Sequence, residues 1–336
     1  MGVCRYAAQR VLLVIPTVIG LTLMTFVISH MIPADPAALI LGERATPAQV
    51  EALRHSWGLD QPIYVQYLKF LIGFLQGDFG QSTTTRHAVM SDVMLYFPAT
   101  LELVLAAMSF GIVFGVLFGT ISAVRKDTIS DYLVRGFSLI GVCMPVYWLG
   151  LVALGVIYLR FGLVSPGRLS TGLSPPIHIT GLYLVDSLAT WNLPVFFDAV
   201  KHLILPTLVL GSWILGPIAR QTRAGMLECL EQEYVLAARA KGLPESTVIW
   251  KHALRNALNA TLTIVGIAFG GLLGGAVVTE TVFSWPGLGS YMLSSTLTID
   301  FGAIVGGTAI IGLMYTIVNL VVDLLYGFVD PKLRYG

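Results

Sequence analysis

Six long apolar stretches run through the chain, and they constrain its fold more than any other feature. A helix that crosses a bilayer needs about 20 mostly apolar residues. Only 12% of the residues are charged, whereas soluble domains carry roughly 25%. We therefore predict an all-α, polytopic membrane protein with six transmembrane helices. The predicted spans are Val11–Met31, Thr100–Val124, Leu133–Leu159, His202–Ile218, Ala260–Thr281 and Ala303–Phe328.

The distribution of Lys and Arg predicts the orientation of these spans. Cytoplasmic loops of membrane proteins carry an excess of both residues. With six spans, most of the basic residues fall in the two terminal segments and in two alternate loops, as Arg10, Arg125, Arg223 and Lys332 illustrate. Both termini are therefore expected to face the cytoplasm.

The first span is expected to remain as an anchor. A secretory signal peptide has an apolar core of about 7–15 residues, and the stretch after Arg10 is long enough to span. Residues 1–33 then form an N-terminal anchor helix, and residues 34–97 form a periplasmic amphipathic insertion. Residues 98–336 form a core of five transmembrane helices, with a cytoplasmic loop at residues 220–258.

Two outer segments are long enough to fold between spans. In the first, Thr46 is placed to cap a helix. The apolar run from Ile63 to Leu75 is too short to span and fits an interfacial helix. The second, at residues 160–201, contains several prolines and aromatics, which predict an irregular but ordered loop.

The stretch from Glu231 to Leu258 is a polar, basic island between two apolar segments. Apolar residues at helical spacing predict a short helix that ends at Gly242, because glycine is a common C-cap residue and Pro244 follows it. A second helical run begins near Glu245. From these residues alone, the island is either an ordinary cytoplasmic loop or a docking element for a soluble partner.

Glycines recur at every fourth position in two predicted spans. Small residues at this spacing let helix backbones approach closely in lipid. We expect packing within the bundle, with a subunit interface along the fifth span as the alternative. The two sets are Gly111, Gly115 and Gly119, and Gly266, Gly270 and Gly274.

Motifs for catalysis and for nucleotide binding are missing from the sequence. It contains no G-x-x-x-x-G-K-[ST] loop, no H-E-x-x-H and no G-x-S-x-G. The six histidines and three cysteines are scattered, so no metal site is expected. A net charge of +1 gives no signature of nucleic-acid binding. We therefore predict no catalytic residue in this chain.

Three acidic residues fall within or near the predicted spans, where acids are functional candidates by default. Glu102 and Glu280 lie near the outer ends of their spans, and Asp323 lies near the inner end of the last span. End positions reach water, which weakens a role in a transport pathway. An ion-coupled carrier would want charge near the midplane, and a membrane enzyme would want paired acids. Neither pattern is clear.

The polar island resembles the cytoplasmic coupling motif of permeases from binding-protein-dependent ABC importers, in particular the peptide-importer branch. The general family often has Glu where this chain has Leu236, and Pro where it has Arg255. The branch usually has a Pro shortly after its Asn-Ala, where this chain has Asn259. The residues that match the branch are Glu231, Glu233, Tyr234, Ala238, Arg239, Ala240, Gly242, His252, Leu254, Arg255, Asn256 and Ala257.

Other landmarks of that branch have similar, collinear counterparts here. The resemblance implies the type I ABC importer fold and the first of two permeases in a dipeptide or oligopeptide importer. The matching segments are HMIPADP at 30–36, GLDQPIYVQYLKF at 58–70, GDFGQS at 77–82, FPATLEL at 97–103, TETVFSWPGLG at 279–289 and NLVVDLLYGFVDPKLR at 319–334.

The resemblance implies a transport subunit that is not itself an enzyme and binds no cofactor. A second homologous permease would complete the pathway in the inner (plasma) membrane, among its lipids. Two ATP-binding subunits would hydrolyse ATP with magnesium, and a periplasmic or surface solute-binding protein would deliver short peptides. Nickel chelates, glutathione, antimicrobial peptides and D-amino-acid dipeptides are alternative substrates within this class. No nucleic-acid partner is implied.

The loop at residues 220–258 is then implied to be the coupling loop, with the short helix around Glu233–Lys241 in a groove of one ATPase. The residues implied to couple to the ATPase are Glu233, Tyr234, Ala237, Ala238, Arg239, Lys241, Gly242, His252, Arg255 and Asn256. The candidates for a gate or pathway are Glu102, Glu280, Ser284, Trp285, Pro286 and Asn319.

Overall fold

The structure is a computed structural model that describes residues 3–31, 37 and 45–329. Within these residues, regular structure is helical apart from one antiparallel bridge between Gln81 and Ala88. The helices are α1 (Val3–Met31), α2 (Pro47–Trp57), α3 (Ile63–Gln76), α4 (Val89–Val124), α5 (Ile129–Cys143), α6 (Val146–Arg160), α7 (Tyr183–Ala189), α8 (Leu193–Leu230), α9 (Glu233–Ala240), α10 (Glu245–Val282), α11 (Leu288–Leu297) and α12 (Phe301–Val329).

Five of the described helices (α1, α4, α8, α10 and α12) are long and apolar enough to cross a membrane. A sixth crossing follows if α5 and α6 count as one span. Inside a bilayer no water satisfies backbone N–H and C=O groups, so a spanning segment must satisfy them by its own helical hydrogen bonds. The prediction of an all-α, polytopic membrane protein is therefore confirmed.

The third predicted span is not one straight helix. α5 and α6 meet at a bend of 103°. Met144 adopts an extended conformation and Pro145 caps α6. A proline has no N–H to donate, and its ring disfavours helical geometry in the preceding residue, so the break falls here. The sequence predicts one span from Leu133 to Leu159, because a single proline hardly changes the mean hydropathy of such a run.

The fourth predicted span was expected to be the shortest, but α8 has 38 residues. Its polar ends extend the helix well beyond the apolar window, and Pro206 and Pro217 lie inside it. Proline is tolerated in such helices where neighbouring groups satisfy the freed backbone atoms. As a result, residues 220–230 of the expected coupling loop belong to the end of α8, and residues 245–258 belong to the start of α10.

Glycines bring the central helices into close contact, as their spacing predicts. A β-carbon at Gly119 would lie 2.5 Å from the Ala219 carbonyl oxygen of α8. On α10, a β-carbon at Gly266 would lie 2.9 Å from Val322 of α12. Packing within the chain is therefore confirmed for these positions. Gly274 has open space beside it, so the alternative of a subunit interface stays a prediction there.

The chain divides into two compact units. The first is built mainly from Phe97–Ser290, and the second from Ala8–Tyr96 with Tyr291–Ile317. In the second unit, buried Asp300 accepts hydrogen bonds from the Ser82 hydroxyl at 2.5 Å and from the Thr84 amide at 3.0 Å. These contacts hold the segment before α4 against the start of α12.

In the second unit, α3 packs against α1. Phe26 of α1 contacts Tyr67 and Phe70, and the Tyr67 hydroxyl lies 3.1 Å from the Thr22 hydroxyl. The Tyr67 hydroxyl also donates to the carbonyl of Ile19, 3.4 Å away. Ile19 lies near the middle of the apolar window Ala8–Ile28, so α3 packs against the apolar part of α1, and the predicted interfacial position of α3 stays a prediction.

We predict that the exposed apolar stripe of α3 faces lipid. Leu68 and Ile72 are each 54% exposed and lie one turn apart on this stripe, whereas exposed Lys69 lies on the polar side. A nitroxide attached to Leu68→Cys or Ile72→Cys should relax strongly with oxygen and weakly with a soluble nickel chelate, because oxygen partitions into lipid. Lys69→Cys is the control and should respond to the chelate. A strong chelate response at Leu68 would place α3 in water, and a weak response to both would place it against protein.

Candidate functional site

The short helix α9 is held to the protein by one face. Val235 is completely buried, and Ala238, one turn further on, is 6% exposed. The spacing of three residues puts both side chains on the same side of the helix. The cluster that surrounds them contains Ala123 of α4, Met226 of α8, and Val248, Ala253, Leu254 and Ala257 of α10.

The opposite face of α9 projects away from the protein. Leu236 is 54% exposed, and Glu233, Ala237 and Lys241 are also exposed, while Tyr234, 40% exposed, lies at the edge of this face. The predicted pair Ala237 and Ala238 is therefore divided, since Ala238 packs against this chain and Ala237 faces outward. What remains is a surface of mixed apolar and charged groups on one projecting helix.

Gly242 ends this helix by a left-handed turn, with φ of +73°. A side chain at this position would be strained, although no atom lies within 4 Å of the space for a β-carbon. Across the turn, the Arg239 guanidinium donates two hydrogen bonds to the Glu245 carboxylate, at 2.6 and 3.3 Å. Both side chains are well exposed, so solvent screens this pair and it contributes little to stability.

The remaining predicted coupling residues lie on the first turns of α10. Val248–Ala253 form a π-helical segment in which His252 is half-buried, and Arg255 and Asn256 are exposed on the α-helical turn that follows. The Tyr234 hydroxyl lies near the side chains of Asn256 and Cys229, and partial burial raises its pKa. The structure therefore brings the two ends of the predicted motif together. The π-helical segment was not expected from the sequence.

The first unit also contains a buried ion pair, which is separate from the site around α9. An Nη atom of Arg168 donates to Glu102 at 2.5 Å, and the other Glu102 oxygen accepts from the Leu184 amide at 2.8 Å. Both Arg168 and Glu102 are 7% exposed. The guanidinium also lies 3.4 Å from the centre of the Tyr183 ring. The sequence reading missed Arg168, because it lies in an irregular loop outside any motif.

Glu280, in the same unit, is completely buried, and a tight turn surrounds it. Its carboxylate accepts from the Thr100 hydroxyl at 2.5 Å and from the Ser290 amide at 2.8 Å. Gly287 leaves no room for a side chain against this carboxylate. Among the described residues, Glu280 therefore stabilises the turn after α10 as an acceptor and makes no ion pair.

The same turn positions the Ser-Trp-Pro segment. Ser284 has φ of +50° and is exposed, as is Pro286. Trp285 is 2% exposed, and its ring N–H donates to the Ala99 carbonyl at 2.9 Å. Asn319 lies half-buried on α12. The side chain of Asp323 lies outside the described residues.

Residues 160–201 were predicted to form an irregular but ordered loop, but they contain α7 and the first residues of α8, and buried Asp186 of α7 orders the residues before it. Asp186 accepts from the hydroxyl and amide of Thr180, at 2.6 and 2.8 Å, and from the amides of Ile179 and Gly181. Burial by itself would raise the pKa of this carboxyl, but these hydrogen bonds outweigh it and lower the pKa. These hydrogen bonds tie residues 179–181 to α7. Within the described part of the chain, no three His, Cys, Asp or Glu side chains are grouped for a metal ion.

Comparison with known proteins identifies the class. Residues 115–335 match the family of the binding-protein-dependent transport system inner membrane component, and residues 3–104 match its N-terminal family. The chain belongs to this family. It is the membrane permease subunit of a binding-protein-dependent transport system.

Particular relatives cover almost the whole chain. A probable D,D-dipeptide transport system permease protein of Escherichia coli strain K12 is 45% identical over 98% of this chain and 97% of its own length. A di/tripeptide transport system permease protein of Pseudomonas aeruginosa is 43% identical over 98% of both chains. A dipeptide transport system permease protein of Alkalihalophilus pseudofirmus is 40% identical, over 98% of this chain and 99% of its own.

We predict that the Arg168–Glu102 pair is costly to break from one side. Arg168→Met should destabilise the subunit by about 3–5 kcal/mol, because it leaves a buried carboxylate without its cation. Adding Glu102→Gln should recover part of that loss, since the unpaired charge is then removed. Unfolding of the purified subunit in detergent measures both changes.

Glu51→Gln is the matched control. It removes the exposed Glu51–Arg54 pair, whose charged groups lie 3.6 Å apart, so a change of no more than about 0.5 kcal/mol is expected. If Arg168→Met alone lowered the free energy of unfolding no more than Glu51→Gln does, burial would not make the Arg168–Glu102 pair costly to break.

Proposed function

We propose that this permease carries short peptides, foremost dipeptides, across the inner (plasma) membrane. The observation that carries the proposal is the set of relatives named as dipeptide and di/tripeptide permeases, aligned along almost their whole length. End-to-end alignment supports a shared transport role better than a shared motif does. The relative named for D,D-dipeptides makes dipeptides of D-amino acids the second candidate substrate.

The chain is proposed to work with four other subunits. A second, homologous permease completes the pathway, two ATP-binding subunits bind ATP with magnesium and hydrolyse it, and a solute-binding protein delivers the peptide. Membership in a binding-protein-dependent system supports these partners. The missing P-loop supports hydrolysis elsewhere. The excess of Lys and Arg in alternate loops supports cytoplasmic termini.

The projecting face of α9 is proposed to bind one ATP-binding subunit. Tyr234 and Leu236 supply apolar surface, and Glu233 and Lys241 supply charge, which is the composition of a protein interface. Since Val235 and Ala238 pack against α8 and α10, a push on α9 is passed to both long helices. Arg239, Gly242, His252, Arg255 and Asn256 shape this contact in the proposal.

The opposite part of the unit is proposed to form the outer gate. Glu102 and Glu280 fix the loop and the turn that carries Ser284, Trp285 and Pro286. Exposed Ser284 and Pro286 supply the surface of that gate, and buried Trp285 ties it to α4. Asn319 is kept as a candidate for the pathway.

Reconstitution tests the proposed substrate. The permease is placed in proteoliposomes with its second permease, its ATP-binding subunits and its solute-binding protein. Uptake of L-alanyl-L-alanine should require ATP and the binding protein, and D-alanyl-D-alanine should compete if the second candidate is right. The isolated permease should hydrolyse no ATP. A complex that transports neither peptide but accumulates a nickel chelate or glutathione would overturn the proposal.

The Gly242 turn gives a test of the coupling role. Gly242→Ala and Gly242→Trp share the same left-handed strain of about 1–2 kcal/mol, and only Trp adds bulk to the surface of α9. We expect Trp to lower peptide uptake about tenfold relative to Ala, with ATP hydrolysis retained in the assembled complex. Equal uptake by the two variants would show that the partner does not contact this turn.

A further inference from the structure

Asp131 is a buried carboxylate on the first turn of α5, and separate segments of the chain converge on it. Its side chain is completely buried. It accepts a hydrogen bond from the Ser122 hydroxyl near the end of α4. It accepts another, at 3.1 Å, from the Asp127 amide of the connecting turn. Arg223 of α8 donates to both of its oxygens, with Nε and Nη each at 2.9 Å. This single carboxylate therefore joins α4, α5 and α8.

Both ends of this bridge adjoin the core that holds α9. Arg223 precedes Met226 by one helical turn, and Met226 is completely buried in the cluster with Val235 and Ala238. On α4, Ser122 is followed by Ala123, which belongs to the same cluster. The polar bridge and the apolar seat of α9 are thus neighbouring parts of the same helices.

The bridge continues into closely packed helices on either side. A β-carbon at Gly216 of α8 would lie 2.5 Å from the Ser138 carbonyl oxygen of α5, so these backbones touch. Beside Arg223, the Thr222 hydroxyl lies 3.2 Å from the Thr261 hydroxyl of α10. Neither contact can slide far without a clash or a lost hydrogen bond.

Close packing already limits sliding between α5 and α8, and the bridge adds a directional contact between them. Apolar packing is non-directional, whereas a two-point guanidinium–carboxylate contact fixes distance and orientation at once. A buried ion pair is weak evidence for stability by itself, because desolvation offsets much of the attraction. The argument for the Asp131–Arg223 pair therefore rests on its two-point geometry and not on its contribution to stability.

We propose that the Asp131–Arg223 bridge is a positioning contact that passes the displacement of α9 to α5, as far as the break at Met144–Pro145. α9 moves α8 through the apolar cluster, and the bridge makes α5 follow α8 in fixed register. The proposal rests on the proposed function, because it concerns how ATP hydrolysis drives transport. In this proposal, Asp131 and Arg223 contact neither the ATP-binding subunit nor the peptide, and they act through other residues.

The test measures how many ATP molecules are hydrolysed per dipeptide taken up by the reconstituted, full complex. Arg223→Gln removes the cation and should raise this ratio about tenfold, a typical size for coupling between sites. Arg135→Gln is the matched control, because Arg135 lies 3.4 Å from the same carboxylate but on α5 itself, so it joins no second helix. Its ratio should stay within about twofold of the unmodified complex.

Assembly is checked by gel filtration, so that the ratio is measured only on whole complexes. If Arg223→Gln does not assemble, Arg223→Lys is used, which keeps the charge and gives up the two-point contact. It should raise the ratio in the same direction by a smaller factor. An unchanged ratio in whichever Arg223 variant assembles overturns the positioning role, as does an equal rise in Arg135→Gln. Failure of the unmodified complex to take up any dipeptide overturns the proposed function instead.

Discussion

The need to satisfy backbone polar groups without water governs this structure. It forces each crossing segment into a helix whose hydrogen bonds close within itself, and it leaves side-chain packing to decide how the helices meet. Glycines at regular spacing permit that packing, as the contact of Gly119 with the Ala219 carbonyl shows. Where the helical pattern is interrupted, at Pro145 for example, the interruption becomes a fixed feature of the fold.

Among the described residues, three buried carboxylates bind partners from other segments of the chain. Glu102 binds Arg168 and the Leu184 amide, Glu280 accepts from Thr100 and Ser290, and Asp131 binds Arg223. Unpaired charge would be expensive in such surroundings. These sites lie where loops or turns meet long helices. They specify the position of one segment against another, which apolar packing does only loosely.

The sequence predicted well those features that depend on composition and local spacing. Apolar runs located the helices, the glycine spacing indicated their close contacts, and Gly242 marked the turn after α9. The sequence predicted less well the features that depend on contacts between residues far apart in the chain. The length of α8 was underestimated because its polar ends leave the apolar window, and the bend at Met144–Pro145 depends on one residue within an apolar run. Arg168 was missed because its partner, Glu102, lies 66 residues away.

The way α9 is attached has a consequence for how such transporters diversify. Only two of its eight residues, Val235 and Ala238, are buried in this chain. Tyr234 and Arg239 still contact other side chains of this chain, whereas exposed positions such as Leu236 and Ala237 can change with little effect on the fold. Leu236, which stands where the general family often has Glu, is one such position. Under the proposed contact with an ATP-binding subunit, a change at a few exposed side chains of this two-turn helix would alter which subunit it binds.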